Sequence, residues 1–274
     1  MGDTQLPDTA QPNGVLPELE AAMDAAWPAP DQELSGSWVL RAAGGVTQRA
    51  NSIWPRSEPL GTRNDRLAAL RAARAWYRGR RLPVIFQVFD TPGSSALNAV
   101  LDEEGFTRQS ETLIMFRASD AVHAADVDPG VEIADRPSSE WLELWWSVDG
   151  RGGAAELETA RTILTGCPAL YALVRDDGGQ PAAVGRLALV PGTAGGWGGL
   201  YCMATRPDAR RRGHATRIQQ ALLREGAALG LAGYWLLVMV SNAAAREMYS
   251  PAGFREVSRY YYRQERPKRH LTGC

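Results

Sequence analysis

Residues 198–240 constrain the fold more than any other stretch of the chain. A strand-like run, GLYCMAT, is broken by Pro207. An arginine cluster follows, and from Gly213 a helical pattern places Ile218, Leu222 and Leu229 on one face. The run YWLLVMV at 234–240 then carries no charge at all, as in a strand covered on both faces. Strand, helix and buried strand make a βαβ unit, whose two strands lie parallel.

The flanking patterns extend this unit into a domain. Before it the sequence predicts a strand at 131–133, helices at 138–149 and 154–164, a strand at 169–175, and a hairpin partner at 182–189 across a turn at 176–179. After it come a short helix at 242–249 and a last strand at 254–263. The fold class is α/β with α+β character: a mixed, mostly antiparallel central sheet flanked by helices.

In the first half, Leu16, Leu19, Met23 and Trp27 recur at helical spacing, and Pro28 and Pro30 stop that helix. Residues 38–41 read as a strand, Gly44 and Gly45 as a turn, and 46–54 as the hairpin partner. A helix is expected over 62–80, with Thr62 or Asn64 as its cap. A strand at 84–89, a helix at 94–104 stopped by Gly105, and a strand at 112–116 complete this half. The polar, proline-rich residues 1–14 are expected to be flexible, and the small, acidic, turn-rich residues 118–130 to link two domains. The expected domains are therefore 15–117 and 131–265, followed by a basic tail at 266–274.

Composition excludes several classes of function. With 30 Lys and Arg against 31 Asp and Glu, the net charge of −1 argues against a general nucleic-acid binder. Cys167, Cys202 and Cys274 are scattered, with no CxxC pair, so neither a metal site nor a disulfide framework is indicated. No apolar run is long enough to span a membrane, and no basic stretch precedes an apolar one at the N-terminus. A cytoplasmic location is the simplest expectation.

The chemistry concentrates at 205–226, TRPDARRRGHATRIQQALLREG. A helix N-terminus presents unsatisfied N–H groups and roughly half a positive charge. Gly213 lets a phosphate approach the backbone, Ala215 keeps that approach open, and the arginines add charge at the rim. Taken alone, RxxGxA also fits an ordinary helix start with a solvated arginine face. It is neither a Walker loop nor a dinucleotide fingerprint.

Arg210, Gly213 and Ala215 resemble the Q/RxxGxG/A cofactor signature of the GNAT acyltransferase superfamily. LLVMVSNAAAREMYSPAGF resembles that superfamily's second signature: apolar strand, Asn242, short helix, Tyr249, then Gly253 and Phe254. The resemblance implies acetyl-coenzyme A as co-substrate and no metal. It implies that Met203, Ala204 and Thr205 meet the pantetheine arm through their backbone. Arg210, Arg211, Arg212, Gly213, His214, Ala215 and Thr216 would hold the pyrophosphate. Asn242 would touch the cofactor, cap its own helix, or do both. Tyr249 would protonate the leaving thiolate, its alternative role being to pack its ring on the core. Cys202 reads as strand filling, with an acyl-carrier role as the alternative.

The implied reaction is direct attack by a primary amine, of a small molecule or a peptide, on the acetyl thioester. An alkyl ammonium has a pKa of about 10, so some base must take its proton. The strand before the signature, WGGLYCM, offers no acid. Asp149, Glu156 and Glu158 are candidates, each with an ordinary surface role as its alternative, and none is assigned.

The first half ends LNAVLDEEGFTRQSETLIMF, an echo of AREMYSPAGFREVSRYYYR, while 58–67 lacks RxxGxA. This resembles a tandem GNAT arrangement with a degenerate N-terminal unit. RANSIWP at 49–55 could face an acceptor or form an ordinary strand around a buried Trp. Trp141, Trp145 and Trp146 suit either packing against the N-terminal unit or an acceptor wall. A non-catalytic acyl-coenzyme A sensor is the alternative function. No nucleic-acid or membrane partner is expected, and the acceptor's identity, the acyl length and the oligomeric state are left open.

Overall fold

The computed structural model describes residues 12–56, 61–119, 128–192 and 196–266. Most of the expected flexible N-terminus, the middle of the expected linker, EPL at 58–60 and nearly all of the basic tail lie outside these residues.

Two compact units are present, and they do not follow chain order. One takes in residues up to 28 and 113–258; the other takes in 29–112 and 259 onward. This differs from the consecutive blocks 15–117 and 131–265. Helix α1 (Pro12–Ala26) belongs with the C-terminal half, and it begins inside the stretch expected to be flexible. Strands β5 (Phe106–Ala118) and β11 (Arg255–Glu265) each contribute one end to each unit.

In the unit formed by 29–112 and 259 onward, β1 (Asp31–Ser35), β2 (Trp38–Ala42) and β3 (Trp54–Pro55) form a small antiparallel sheet. The partner of β2 is therefore mainly β1, where the sequence suggested 46–54. After the left-handed Gly44 and Gly45, that stretch is instead mainly an irregular loop with left-handed Thr47 and a 3-10 turn at Arg49–Asn51. Helix α2 (Arg63–Gly79) is capped by Thr62, one of the two candidates, and Asn64 lies inside the helix. Strand β4 (Ile85–Phe89) pairs antiparallel with β11, and α3 (Ser95–Glu103) leads through Gly105 into β5. Leu70, Tyr77, Phe86, Val88, Leu101 and Phe106 fill this unit's core.

In the other unit the strand order is β5, β10 (Gly233–Met239), β9 (Trp197–Thr205), β8 (Pro181–Val190), β7 (Ala169–Arg175), β6 (Val131–Ala134). Helices α4 (Ser139–Asp149), α5 (Ala154–Leu164), α6 (His214–Ala228) and α7 (Ala243–Tyr249) accompany it. Strands β6 to β9 pair antiparallel, while β9 and β10 run parallel across α6, as the βαβ reading requires. Ile218 and Leu222 of α6 are wholly buried in a core with Ala172, Val174, Ala183, Leu187, Leu236 and Phe254.

Trp141 is used inside this unit. The Trp141 indole donates to Ala172 O at 3.0 Å and Gly185 O at 3.2 Å, and its ring meets Tyr171 edge-on at 5.2 Å. These bonds fasten α4 to β7 and β8.

Candidate active site

The site begins with an irregularity in β9. Register with β8 shifts between Val184, opposite Ala204, and Arg186, opposite Tyr201. The extra residue is accommodated at Cys202, whose φ of 55° is left-handed. Across the bulge a glycine is required: a Cβ on Gly185 would meet Met203 Sδ and Ile218 Cγ2, each at 2.6 Å. The parallel register with β10 stops at Leu236 opposite Leu200, although β9 runs on to Thr205 and β10 to Met239. Two parallel strands thus part over Met203, Ala204 and Thr205, leaving room for an extended chain to bond their backbone.

Beyond β9 the loop is held rigidly. Arg206 bonds Asp208 and Asp176, both at 2.6 Å, and Pro181 O at 2.8 Å. A 3-10 turn at Pro207–Ala209 tucks Ala209 into the core. Arg211 then has φ 64° and Gly213 φ 80°, and α6 starts with no side-chain cap. Arg210, Arg211, Arg212 and Gly213 are exposed, and a Cβ on Gly213 would meet nothing within 4 Å. First-turn N–H groups at the positive end of a helix, with open space before them and arginines beside them, suit an anionic phosphate. His214 is buried, and neither ring nitrogen finds a hydrogen-bond partner among the described residues.

The corresponding helix of the other unit is closed. Thr62 Oγ1 accepts from Asp65 N, and the Asp65 carboxylate accepts from Thr62 N at 2.7 Å. A carboxylate already sits where an anion would bind. The two halves nevertheless share a local plan. Gly105 (φ 82°) and Gly253 (φ 86°) each turn a short helix into a strand, and each is followed by a buried phenylalanine.

Asn242 caps α7, accepting from Ala245 N at 3.2 Å, and is exposed. Tyr249 ends α7 with its ring edge-on to Phe254 at 6.0 Å. Among the described residues nothing hydrogen-bonds its hydroxyl. Burial holds that hydroxyl protonated well above the usual phenol range, and the charge of Asp149 adds to the effect.

Asp149, the last residue of α4, has its own surface exposed. Burial nonetheless raises its pKa, against a hydrogen bond from the Trp145 side chain and the charge of Arg210. The other two candidate acids have structural partners: Glu156 accepts from Gly153 N at 2.8 Å, and Glu158 pairs with Arg161 at 3.4 Å. Asn51 of RANSIWP is structural as well. Its carboxamide accepts from Ala43 N and Gly45 N and donates to Val46 O and Thr47 O, while Trp54 is buried.

Residues 16–263 match the family described as "Probable histone acetyltransferase Rv0428c C-terminal". The chain belongs to this acetyltransferase family. Across 253 residues it is 25% identical to the uncharacterized N-acetyltransferase YobR of Bacillus subtilis, covering 91% of the chain and 98% of the relative. It is 27% identical to the probable histone acetyltransferase Rv0428c of Mycobacterium tuberculosis, covering 91% and 74%. The fold is that of a GCN5-related N-acetyltransferase from Kribbella flavida, with TM-score 0.66, 17% identity and coverage of 96% and 97%. A tandem GNAT protein from the clavulanic acid biosynthesis pathway shares it too, with TM-score 0.61, 13% identity and coverage of 91% and 88%.

Membership gives the chain the GNAT fold and acyl transfer as its general chemistry. The parted strands and the uncapped helix of this family member have the form an acyl carrier with a phosphorylated handle needs. Among the described residues no group of His, Cys, Asp and Glu forms a metal site, and no helix is long and apolar enough to cross a membrane. Gly185 and Arg186 were not singled out in the sequence. A Gly-Arg pair inside an otherwise apolar strand, PAAVGRLALV, was the available signal.

Proposed function

We propose that this protein is an acetyl-coenzyme A-dependent N-acetyltransferase that passes the acetyl group directly to the primary amine of a small molecule or peptide. The observation that carries the reading is the open, side-chain-free start of α6 at Gly213, set beside the parting of β9 and β10. In this reading the backbone of Met203, Ala204 and Thr205 bonds the pantetheine arm. The N–H groups from Arg210 to Thr216 hold the pyrophosphate, with the three exposed arginines neutralising it. Asn242 borders the cofactor while capping α7. Coenzyme A supplies the activated thioester. Tyr249 holds a proton for the departing sulfur, and its burial keeps that proton in place until a thiolate forms. The Thr62 and Asp65 cap on α2 supports one cofactor per chain, held by the C-terminal half.

The test is the melting temperature with excess acetyl-coenzyme A, with ATP and NAD as controls. A ligand at about 100 times its dissociation constant that binds only the folded state stabilises by roughly 2.7 kcal/mol, a shift of several degrees. A selective shift supports the reading. A folded protein that shifts with none of the three ligands would sink it.

A further inference from the structure

Helix α6 buries an amide that the fold does not use. Gln219 is 1% exposed, and neither its Oε1 nor its Nε2 finds a hydrogen-bond partner among the described residues. Its neighbours on the helix, Ile218, Leu222 and Leu223, are buried together in the apolar core. A carboxamide can make about four hydrogen bonds, and burying one with none costs the desolvation of both its polar ends. A leucine at this position would carry no such cost.

The place of the amide follows from what surrounds it. A Cβ on Gly185 would meet Ile218 Cγ2 and Met203 Sδ, each at 2.6 Å, so Ile218 lies over the sheet at the level of Met203. Gln219 is the next residue, about 100° further round the helix. Both flanks of α6 fix the direction of that turn. On one flank Arg217 bonds Asp128, just before β6, at 2.6 Å. On the other, Gly226 follows Gln219 by two turns in the same row, and a Cβ there would meet Tyr234 Cε1 of β10 at 2.7 Å. Leu223, one turn after Gln219, accepts from the Tyr234 hydroxyl on its carbonyl at 2.7 Å. In the strand order β6 and β10 lie on opposite sides of β8. Gln219 therefore sits on the β10 flank of α6, at the level of Met203, where the pairing of β9 with β10 has already stopped. Ala215 precedes it by one turn in that row, and a long helical side chain leans back toward the helix N-terminus. The amide is thus carried toward the parted strands from the side of the α6 start. His214 shares the lack of partners, but it precedes Ile218 by one turn and belongs to the row over β8.

We propose that Gln219 is a binding residue for the amide-bearing pantetheine arm of the acyl carrier, donating from Nε2 to a carbonyl of the arm and accepting at Oε1 from one of its N–H groups. The inference rests on the acetyltransferase reading above, and it adds a side chain to a stretch of the carrier otherwise held by strand backbone alone. The chemistry selects this part of the ligand. An arm of amides offers donors and acceptors without charge, and a neutral carboxamide in an apolar wall can satisfy both. A phosphate offers acceptors only and would leave Oε1 without a donor. The amide has already given up its water in folding, so a bond formed on binding is not offset by water lost from Gln219.

The experiment measures two quantities for the wild type, Gln219→Met and Gln219→Leu: the melting temperature without ligand, and the dissociation constant of acetyl-coenzyme A by calorimetric titration. Both variants keep an apolar chain of similar size and discard the amide. Without ligand both should melt at or above the wild-type temperature, because an unbonded buried amide has been removed. The dissociation constant should rise about tenfold in both, the worth of one or two ordinary hydrogen bonds. A fold no weaker together with a ligand less tightly held is not what a residue serving the fold alone would produce. Affinity within twofold of wild type in both variants overturns the proposal and leaves the cofactor reading standing. Variants that both melt below wild type without ligand overturn it as well, since the amide would then be bonded in the free protein. A folded wild type that binds no acetyl-coenzyme A removes the cofactor reading, and this inference with it.

Discussion

The Asp149 carboxylate acts on the Tyr249 hydroxyl: its negative charge adds to burial in keeping that phenol protonated. One group ends α4 and the other ends α7, so the coupling joins two helices that share no sequence motif.

Replacing Tyr249 by Phe separates the hydroxyl from the ring. The ring packs edge-on against Phe254 and does not need the oxygen to do so. The variant should fold and bind acetyl-coenzyme A as the wild type does. Its turnover with any amine that serves as acceptor should fall by about 100-fold. Unchanged kcat in steady-state thiol release would show that sulfur finds its proton elsewhere.

Asp149→Asn has a consequence for stability with the opposite sign. The native pKa of Asp149 is raised, so the native state holds a proton more tightly than the unfolded chain. Ionisation therefore costs native stability. The cost is absent below the unfolded value of about 3.9 and fully present above the raised native value. At neutral pH the Asn variant should melt no lower than wild type, with a small gain because the carboxylate keeps contact with solvent. The difference should close as pH falls through the window between the two values. A marked loss of melting temperature at neutral pH would mean that the ionised carboxylate stabilises the fold.

The sequence exposed some of this and hid the rest for physical reasons. Strands β7 to β10 and helix α6 were legible because each has an apolar period or a wholly apolar run. The strand at β1, DQELS, was not, because four of its five residues are exposed and only its pairing with β2 makes it a strand. The exchange of β5 and β11 between units was hidden for a related reason: a strand's sequence does not name its neighbour. The left-handed Gly213 and the uncapped start of α6, on which the proposed phosphate cradle rests, were readable because they are set by local sequence. The place of Asp149 was not, since its environment comes from α7 and the loop after β9.

Gly213 tests the cradle directly. Its φ of 80° disfavours any side chain, at roughly 1–2 kcal/mol for an ordinary residue, while Asn tolerates this conformation better. The space beyond its Cα is open, so packing adds no penalty. Gly213→Ala and Gly213→Asn should therefore both fold, with Ala the less stable. Both should weaken acetyl-coenzyme A binding in calorimetric titration, because a side chain enters the space before the first turn of α6. Full affinity in the Asn variant would place the phosphate elsewhere.

Arg186 is a wholly buried cation, and among the described residues none of its hydrogen bonds goes to a carboxylate. Its guanidinium donates to Ala26 O at 3.1 Å and Leu164 O at 2.9 Å, the last residues of α1 and α5. A third bond reaches Cys167 Sγ at 3.0 Å, and the rings of Trp27, Tyr171 and Tyr201 surround it at 5.8 to 5.9 Å. Helix C-termini carry partial negative charge and unsatisfied carbonyls, so two of them together solvate the cation. Arg186→Met fills similar volume but removes both guanidinium bonds; Leu164 O keeps the Tyr171 hydroxyl at 2.7 Å, while Ala26 O keeps only the weak Cys167 thiol at 3.5 Å, so the cost of about 1–3 kcal/mol falls mainly on Ala26 O. We expect a loss of roughly 1–3 kcal/mol in denaturant unfolding and faster amide exchange near the end of α1. Lys has one nitrogen and cannot span both helix ends, so Arg186→Lys should recover only part of the loss. An Arg186→Met protein as stable as wild type, with α1 equally protected, would show that the apolar rings hold α1 in place without the cation.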